Sequence, residues 1–295
     1  MTGRHIRTHL ETLSEPAAIG VDVGGTKVAL GAVFGDGRLE HRTQIGTAQA
    51  TLDELAAAAG RVADQLDERT TVTGVGVGIC ELVDDEGQIR SATSVPWTAA
   101  EFAAAFGELG PVTIEADVRA AALAEARFGA GRPFRSFLYL TIGTGISHCL
   151  VHDGEPYRGA HGCAQLSGSA VLSFRCPHCA EPVRLSVEDV ASGAALGRAE
   201  NAPAAIEDAA ALLGSFLALL VNVLDPEAVV VGGGLGAAHG AYWRELARAT
   251  REHVWADHVR ELPIVQAALG ADSGVIGAGL TGLRAAEGES TTRKG

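Results

Sequence analysis

Three glycine turns, each set behind an apolar strand, carry the residue types suited to holding phosphate. The first is Ala18-Ile-Gly-Val-Asp-Val-Gly-Gly-Thr-Lys27, which runs straight into a second apolar strand. Gly24 and Gly25 remove side chains that would keep a phosphate from backbone N–H groups, and Thr26 adds a hydroxyl donor. Asp22 stands where a carboxylate orients a magnesium-bound water, and Lys27 closes the turn. The same segment also reads as a plain tight hairpin, and no Gly-Lys-Ser/Thr follows at Walker spacing. The second turn is Thr141-Ile-Gly-Thr-Gly-Ile146, with Gly143, Thr144 and Gly145 at its tip; the third is Val231-Gly-Gly-Gly-Leu235, with Gly232, Gly233 and Gly234. The third follows the strand Ala-Val-Val-Val and precedes a helix, where a nucleotide can approach open backbone. In this order the three predict an ATP site held with Mg2+. Asp117, between a strand at 112–114 and a helix at 118–128, reads either as a base that accepts a hydroxyl proton or as the cap of that helix.

These residues must be positioned by a fold of some size. The 295 residues are 47% hydrophobic, enough for one large or two modest cores. Residues 1–15 read as an N-terminal tail and 286–295 as a C-terminal one. A hairpin at 16–33, a helix at 52–66 with a Thr51/Glu54 capping box, a glycine-valine strand at 73–80, a helix at 99–106, and the strand and helix around Asp117 give an α/β order. The pattern repeats: strands at 137–142 and 146–152, helices at 188–197 and 204–224, a strand at 228–231 and a helix at 241–256. Two similar α/β domains facing a cleft follow, the smaller at 16–117 and the larger at 118–271, with a last helix at 272–285 returning to the first.

A net charge of −13 argues against nucleic acid or an anionic membrane as partner. The apolar run 212–224 is short for a bilayer and no signal-peptide core opens the chain, so a cytoplasmic location is expected. Lysine occurs only at 27 and 294, so Lys27 is not singled out as catalytic. Five cysteines do not form a disulfide framework; Cys80 and Cys149, in apolar strands, read as buried packing residues.

From Ile19 to about Leu283 the chain resembles the ROK family of repressors and sugar kinases, which have the actin-like (ribonuclease H-like) ATPase fold. The resemblance rests on the three glycine turns, Glu115-Ala-Asp-Val-Arg-Ala-Ala-Ala-Leu-Ala-Glu125, Gly159-Ala-His-Gly162 and Glu188-Asp-Val-Ala-Ser-Gly193. It implies that Asp117 is the catalytic base and that Glu188 reaches the sugar. Family repressors carry a winged helix ahead of the kinase-like body; the fifteen residues before Pro16 are too few to encode one, which points to the kinase branch. A homodimer is the family expectation.

The sugar side departs from the family pattern. Family kinases usually read Asn-Asp at the base and Gly-x-Ala-Gly-Glu-x-Gly-His further on, whose glutamate and histidine hold sugar hydroxyls. This chain reads Ala116-Asp117 and Gly162-Cys-Ala-Gln-Leu-Ser-Gly-Ser169, with Leu166 and Ser169 at those places. A lost carboxylate leaves sugar hydroxyls unpaired, so plain glucose should bind poorly unless Glu81, Thr93, His161 or Gln165 replaces it. The family histidine is also a zinc ligand beside three cysteines. Here only Cys176-Pro-His-Cys179 has knuckle spacing, and a Zn2+ site would need two more ligands from His178, His161, Cys163 or Glu181. The resemblance implies ATP-dependent transfer to the primary hydroxyl of a modified hexose, an amino sugar such as kanosamine. C7-cyclitols, glucose, or a silent sugar sensor are the alternatives.

Overall fold

The computed structural model describes residues 14–164, 168–198 and 202–288. The first sheet is built from β1 (Glu15–Val23), β2 (Lys27–Phe34), β3 (Leu39–Gly46), β4 (Thr70–Ile79) and β5 (Val112–Ala116), in the order β3-β2-β1-β4-β5. β1 pairs antiparallel with β2 and parallel with β4, and β4 pairs parallel with β5. Helices α1 (Leu52–Asp64) and α2 (Ala99–Phe106) connect these strands, and the Thr51/Glu54 capping box forms as expected. Phe102 and Phe106 of α2 join Leu55 and Val62 of α1 in one core with the inner faces of β1, β2 and β4. The helix α3 (Asp117–Phe128) leaves directly from β5.

The second sheet repeats that plan. It holds β6 (Ser136–Ile142), β7 (Ile146–His152) and β8 (Glu155–Pro156), followed later by β11 (Ala228–Gly232) and β12 (Ile264–Gln266), in the order β12-β11-β6-β7-β8. Again a hairpin opens the sheet and two parallel strands extend it on the other side of its first strand. Between the two parts lie a small hairpin, β9 (Leu172–Arg175) with β10 (Pro182–Leu185), and the helices α4 (Val187–Ala191), α5 (Gly193–Leu196) and α6 (Ala202–Leu224). After β11 come α7 (Gly233–Gly236) and α8 (Ala241–His253), and α9 (Ser273–Ala286) closes the chain.

α6 is long and apolar enough, by composition alone, to cross a membrane, with a mean hydropathy of 1.8 over Ala204–Leu224. Its inner stripe, Leu213, Leu217, Ala218 and Val221, is fully or almost fully buried and forms the second core with Leu246 of α8 and Val229 of β11. The expected single helix at 188–197 is broken at Ser192, whose hydroxyl caps α5 while the Gly193 N–H bonds the carbonyl of Gly143 at 2.8 Å. β3, β8, β9, β10 and β12 were not expected: β3 is a polar edge strand, and the others are two to four residues long.

The glycine-valine alternation of β4 has a packing cause. α9 lies backbone to backbone on the first sheet, so that a Cβ on Gly76 would fall 1.7 Å from the Ala278 carbonyl oxygen. On its other side α9 meets α3 as closely: a Cβ on Gly277 would stand 1.8 Å from the Ala120 oxygen. Only glycine permits that approach, and the approach fixes α3, hence Asp117, against the sheet.

Candidate active site

Asp117 stands where a parallel strand becomes a helix. Ala116, the last residue of β5, pairs with Ile79 at the end of β4, so the chain turns out of the sheet beside two other strand ends. The helix cap is Ala116 and Asp117 is the first helical residue; its Oδ1 accepts the Val118 N–H at 2.6 Å. The cap position thus belongs to Ala116, while the Asp117 carboxylate still satisfies one N–H of the helix start, which directs one of its edges. Asp22, near the end of β1, shares the cavity with it. Burial pushes Asp117 up to about 7, and the Asp22 charge adds to that; the Val118 N–H and Arg119 pull the other way without cancelling it. Burial likewise pushes Asp22 up to about 6 against the pull of Lys27 and Arg42. Both carboxylates line one cavity, and burial is the larger cause of the shift in each.

A cavity of about 240 Å³ gathers six of the expected residues: Asp22, Lys27, Asp117, Thr141, Gly233 and Gly234. The turns that bear the others meet at its edge. The Thr26 and Thr144 hydroxyls lie 3.0 Å apart, joining the tips of the first and second turns across the two sheets. The turns have matching closures, Gly24 N–H to the Lys27 carbonyl and Gly143 N–H to the Gly145 carbonyl, each at 3.0 Å. The third turn reaches the second because Gly233, at φ +79°, lies so near Ile142 that a Cβ would be 2.5 Å from its carbonyl oxygen. Gly25 and Gly232 complete these turns.

The segment 270–274 was not expected at the site, yet Gly270, Ala271, Ser273 and Gly274 line the cavity. Gly274, in the first turn of α9, lies against Asp22, where a Cβ would come 2.4 Å from Oδ2. The recurring glycines at the start of the last helix were the available signal. Cys80 was expected as a buried packing residue and is instead only partly buried, one residue beyond β4, with its thiol hydrogen-bonded to Ser94. Burial first and the Asp117 charge next push this thiol up to about 12, which leaves it protonated beside the candidate base.

On the acceptor side, Glu81 is corrected. It is only 4% exposed, and both carboxylate oxygens are taken by the loop that follows: Oε1 by the N–H groups of Ser94 (2.5 Å) and Val95 (3.0 Å), Oε2 by the Thr93 N–H (3.0 Å) and the Ser91 hydroxyl. Glu81 therefore builds the 91–95 loop and has no oxygen left for a sugar hydroxyl. Those bonds hold its pKa below the ordinary carboxylate value although burial acts upward. Thr93 and His161 are exposed. Gln165 and Leu166 lie outside the described residues. Glu188, at the start of α4, accepts the Ser169 hydroxyl at 3.0 Å and the Ile146 N–H at 3.3 Å through the same oxygen, Oε2. Ser169, at the place of the family histidine, is thus tied to Glu188.

The zinc expectation is also corrected. Cys176 and Cys179 flank the turn of the β9–β10 hairpin, where the N–H groups of Cys179 and His178 bond the Cys176 sulfur and hold its thiol below the ordinary value. Among the described residues no group of three or more His, Cys, Asp or Glu side chains stands together, and a closed structural zinc site needs four ligands. Magnesium is a different case, because it is held mainly by phosphates and water and asks one or two carboxylates of the protein. The desolvated, mutually repelling pair Asp22 and Asp117 fits a divalent cation, with Asp22 as the residue that would hold its water shell.

Comparison with known proteins agrees with this architecture. The signature of the ROK family matches residues 18–203 and 198–282. A bifunctional enzyme NanE/NanK of Brucella melitensis is 31% identical over 303 residues, covering 92% of this chain and 55% of the relative, so the chain spans about half of that protein's length. A kanosamine kinase of Amycolatopsis mediterranei is 30% identical over 308 residues, covering 93% of this chain and 99% of the relative. A ROK family glucokinase from Streptomyces griseus, solved with glucose and AMPPNP, superposes with a TM-score of 0.78 at 26% identity over 91% of this chain and 99% of its own. With two sheets of one topology, three turns meeting at one cavity and a signature covering most of its length, the chain belongs to the ROK family and has the actin-like ATPase fold.

Proposed function

We propose that this chain is an ATP-dependent kinase that transfers the γ-phosphoryl group to the primary (6-) hydroxyl of a modified hexose, an amino sugar such as kanosamine. The observation that carries the reading is Asp117 in one cavity with Asp22, Lys27, Thr141 and the third glycine turn. Phosphoryl transfer to an alcohol needs in-line placement, neutralised charge and a carboxylate to take the hydroxyl proton. The backbone N–H groups of the turns and the Lys27 ammonium receive the phosphates, and Asp117 takes the proton from the attacking oxygen. Magnesium, held through Asp22 and the phosphates, would offset the charge that gathers on the transferred group.

The acceptor is read from the departures on the sugar side. Leu166 and Ser169 replace the family glutamate and histidine, and Glu81 is occupied by its own loop. What remains of the expected acceptor residues is a carboxylate tied to a hydroxyl, Glu188 with Ser169, suited to a ring whose hydroxyl pattern is altered or which carries an ammonium group. The kinship with a kanosamine kinase supports the same choice. Steady-state assays with ATP and magnesium over glucose, glucosamine, N-acetyl sugars, kanosamine and cyclitols test it. Highest kcat/KM on an amino sugar is expected; fast turnover of glucose alone would contradict the acceptor, and no turnover of any would contradict the kinase.

The raised pKa of Asp117 fixes a pH dependence. A base must be ionised to accept the proton, so acceptor-limited rates should rise as pH passes upward through about 7 and level off above it. A rate that is flat from pH 5.5 to pH 9 would remove Asp117 from that role.

A further inference from the structure

Two residues beyond Asp117 on α3 stands a charged side chain that the reaction above does not use. Arg119 is 1% exposed. Its Nε donates to Glu115 Oε1 at 2.7 Å, its Nη1 to the Gly162 carbonyl at 2.5 Å, and its Nη2 to the Val83 carbonyl at 2.7 Å. Glu115, 4% exposed, balances the charge and takes Arg158 on its other oxygen.

A buried ion pair is weak support for stability, since an apolar residue of the same volume often does as well or better. Its neighbours Ala120, Ala122 and Ala124 are small apolar side chains in the core. What the guanidinium adds is geometry: a planar fork that holds a carboxylate and two carbonyls at fixed angles, which a lysine ammonium cannot reproduce. The two carbonyls come from different halves of the molecule. Val83 follows β4 of the first sheet, three residues past Cys80, and Gly162 follows β8 of the second. The segments touch, for Gly162 sits at φ +70° and a Cβ there would lie 2.6 Å from both the Val83 oxygen and the Asp84 Cα. Neither lines the cavity that holds the three turns.

We propose that Arg119 is a positioning residue for the acceptor: it fixes the 82–90 and 159–164 segments against each other as one wall, so that the attacking hydroxyl is presented to Asp117. The inference rests on the kinase reading of the site. Displacement of a bound reactant by about 1 Å can cost on the order of 100-fold in rate.

The test uses the full chain with two variants, Arg119→Lys and Gly162→Ala. Arg119→Lys removes the fork and keeps the charge; Gly162→Ala keeps the arginine and pries the two segments apart. Each should raise the acceptor KM and lower acceptor kcat/KM about 10- to 100-fold while leaving the KM for ATP within about twofold, and the double variant should fall short of the product of the two effects. Hydrogen exchange should quicken in 82–90 and 159–164 and stay unchanged in α8 and β11. Acceptor constants and exchange at wild-type values in both variants would overturn the proposal, as would an Arg119→Lys protein that only melts earlier beside a kinetically normal Gly162→Ala. If Arg119→Lys does not fold, Gly162→Ala decides. Absence of turnover by the wild type defeats the kinase reading instead, and the exchange measurement still decides whether Arg119 joins the two segments.

Discussion

Replacing Asp117 by asparagine should lower kcat for phosphoryl transfer by about 10³-fold or more while leaving the affinity for ATP close to that of the wild type. The amide keeps the volume and still accepts the Val118 N–H that now orients Oδ1 at 2.6 Å, so the start of α3 should be undisturbed. It cannot accept a proton. Folding provides a control with a definite sign. The pKa of Asp117 is raised in the native state, to about 7, so its stabilising contribution is complete below the ordinary carboxylate range and is lost as pH climbs through 7. At pH 8 the native protein carries a desolvated carboxylate near Asp22, and the asparagine variant should melt no lower than the wild type. An active variant, or an inactive one that melts several degrees lower, would mean that Asp117 serves the fold.

The second large effect is expected at Glu125, on the last turn of α3, which has no exposed surface. Its Oε2 accepts the N–H groups of Ala130 (2.8 Å) and Ala268 (3.0 Å), and its Oε1 accepts the Leu269 N–H and the Ser273 hydroxyl, each at 2.9 Å. One carboxylate thus ties the end of α3 to the segment that carries Gly270, Ala271 and Ser273 into the cavity wall. Glu125→Ala strips partners from three backbone N–H groups at once, and a loss of about 3–5 kcal/mol is expected, a fall in Tm on the order of 10 °C. Glu125→Gln keeps one acceptor oxygen and should lie between. ATP affinity should weaken in the alanine variant along with the melting temperature, because the wall loses its anchor. A melting temperature within about 2 °C of the wild type would show that the four bonds are replaceable.

The sequence was most legible where a local pattern determines the outcome. Apolar strands ending in glycine turns placed Asp22, Thr141 and Gly233 correctly at one end of each sheet, and the strand-to-helix step placed Asp117. The duplicated topology followed from repeating the same order of elements. Less legible were positions decided by distant partners. Glu81 looked free in sequence, yet its oxygens are consumed by backbone N–H groups twelve to fourteen residues later. Cys80 looked like strand core, but the strand ends at Ile79 and Cys80 stands just past it, partly exposed. The role of Glu125 depends on residues more than 140 positions away, and nothing near it in sequence announces them. Gly274 became a cavity residue only because α9 comes to rest against Asp22.

The central claim is a phosphorus transfer from ATP to a hydroxyl of a modified hexose. Phosphorus NMR of the product formed from ATP, magnesium and kanosamine tests it most directly, because it separates transfer to a sugar from transfer to water. The expected spectrum shows a phosphomonoester coupled to the two protons on C6, growing in step with ADP. ADP accompanied only by inorganic phosphate, or no reaction on any sugar of the panel, would contradict it.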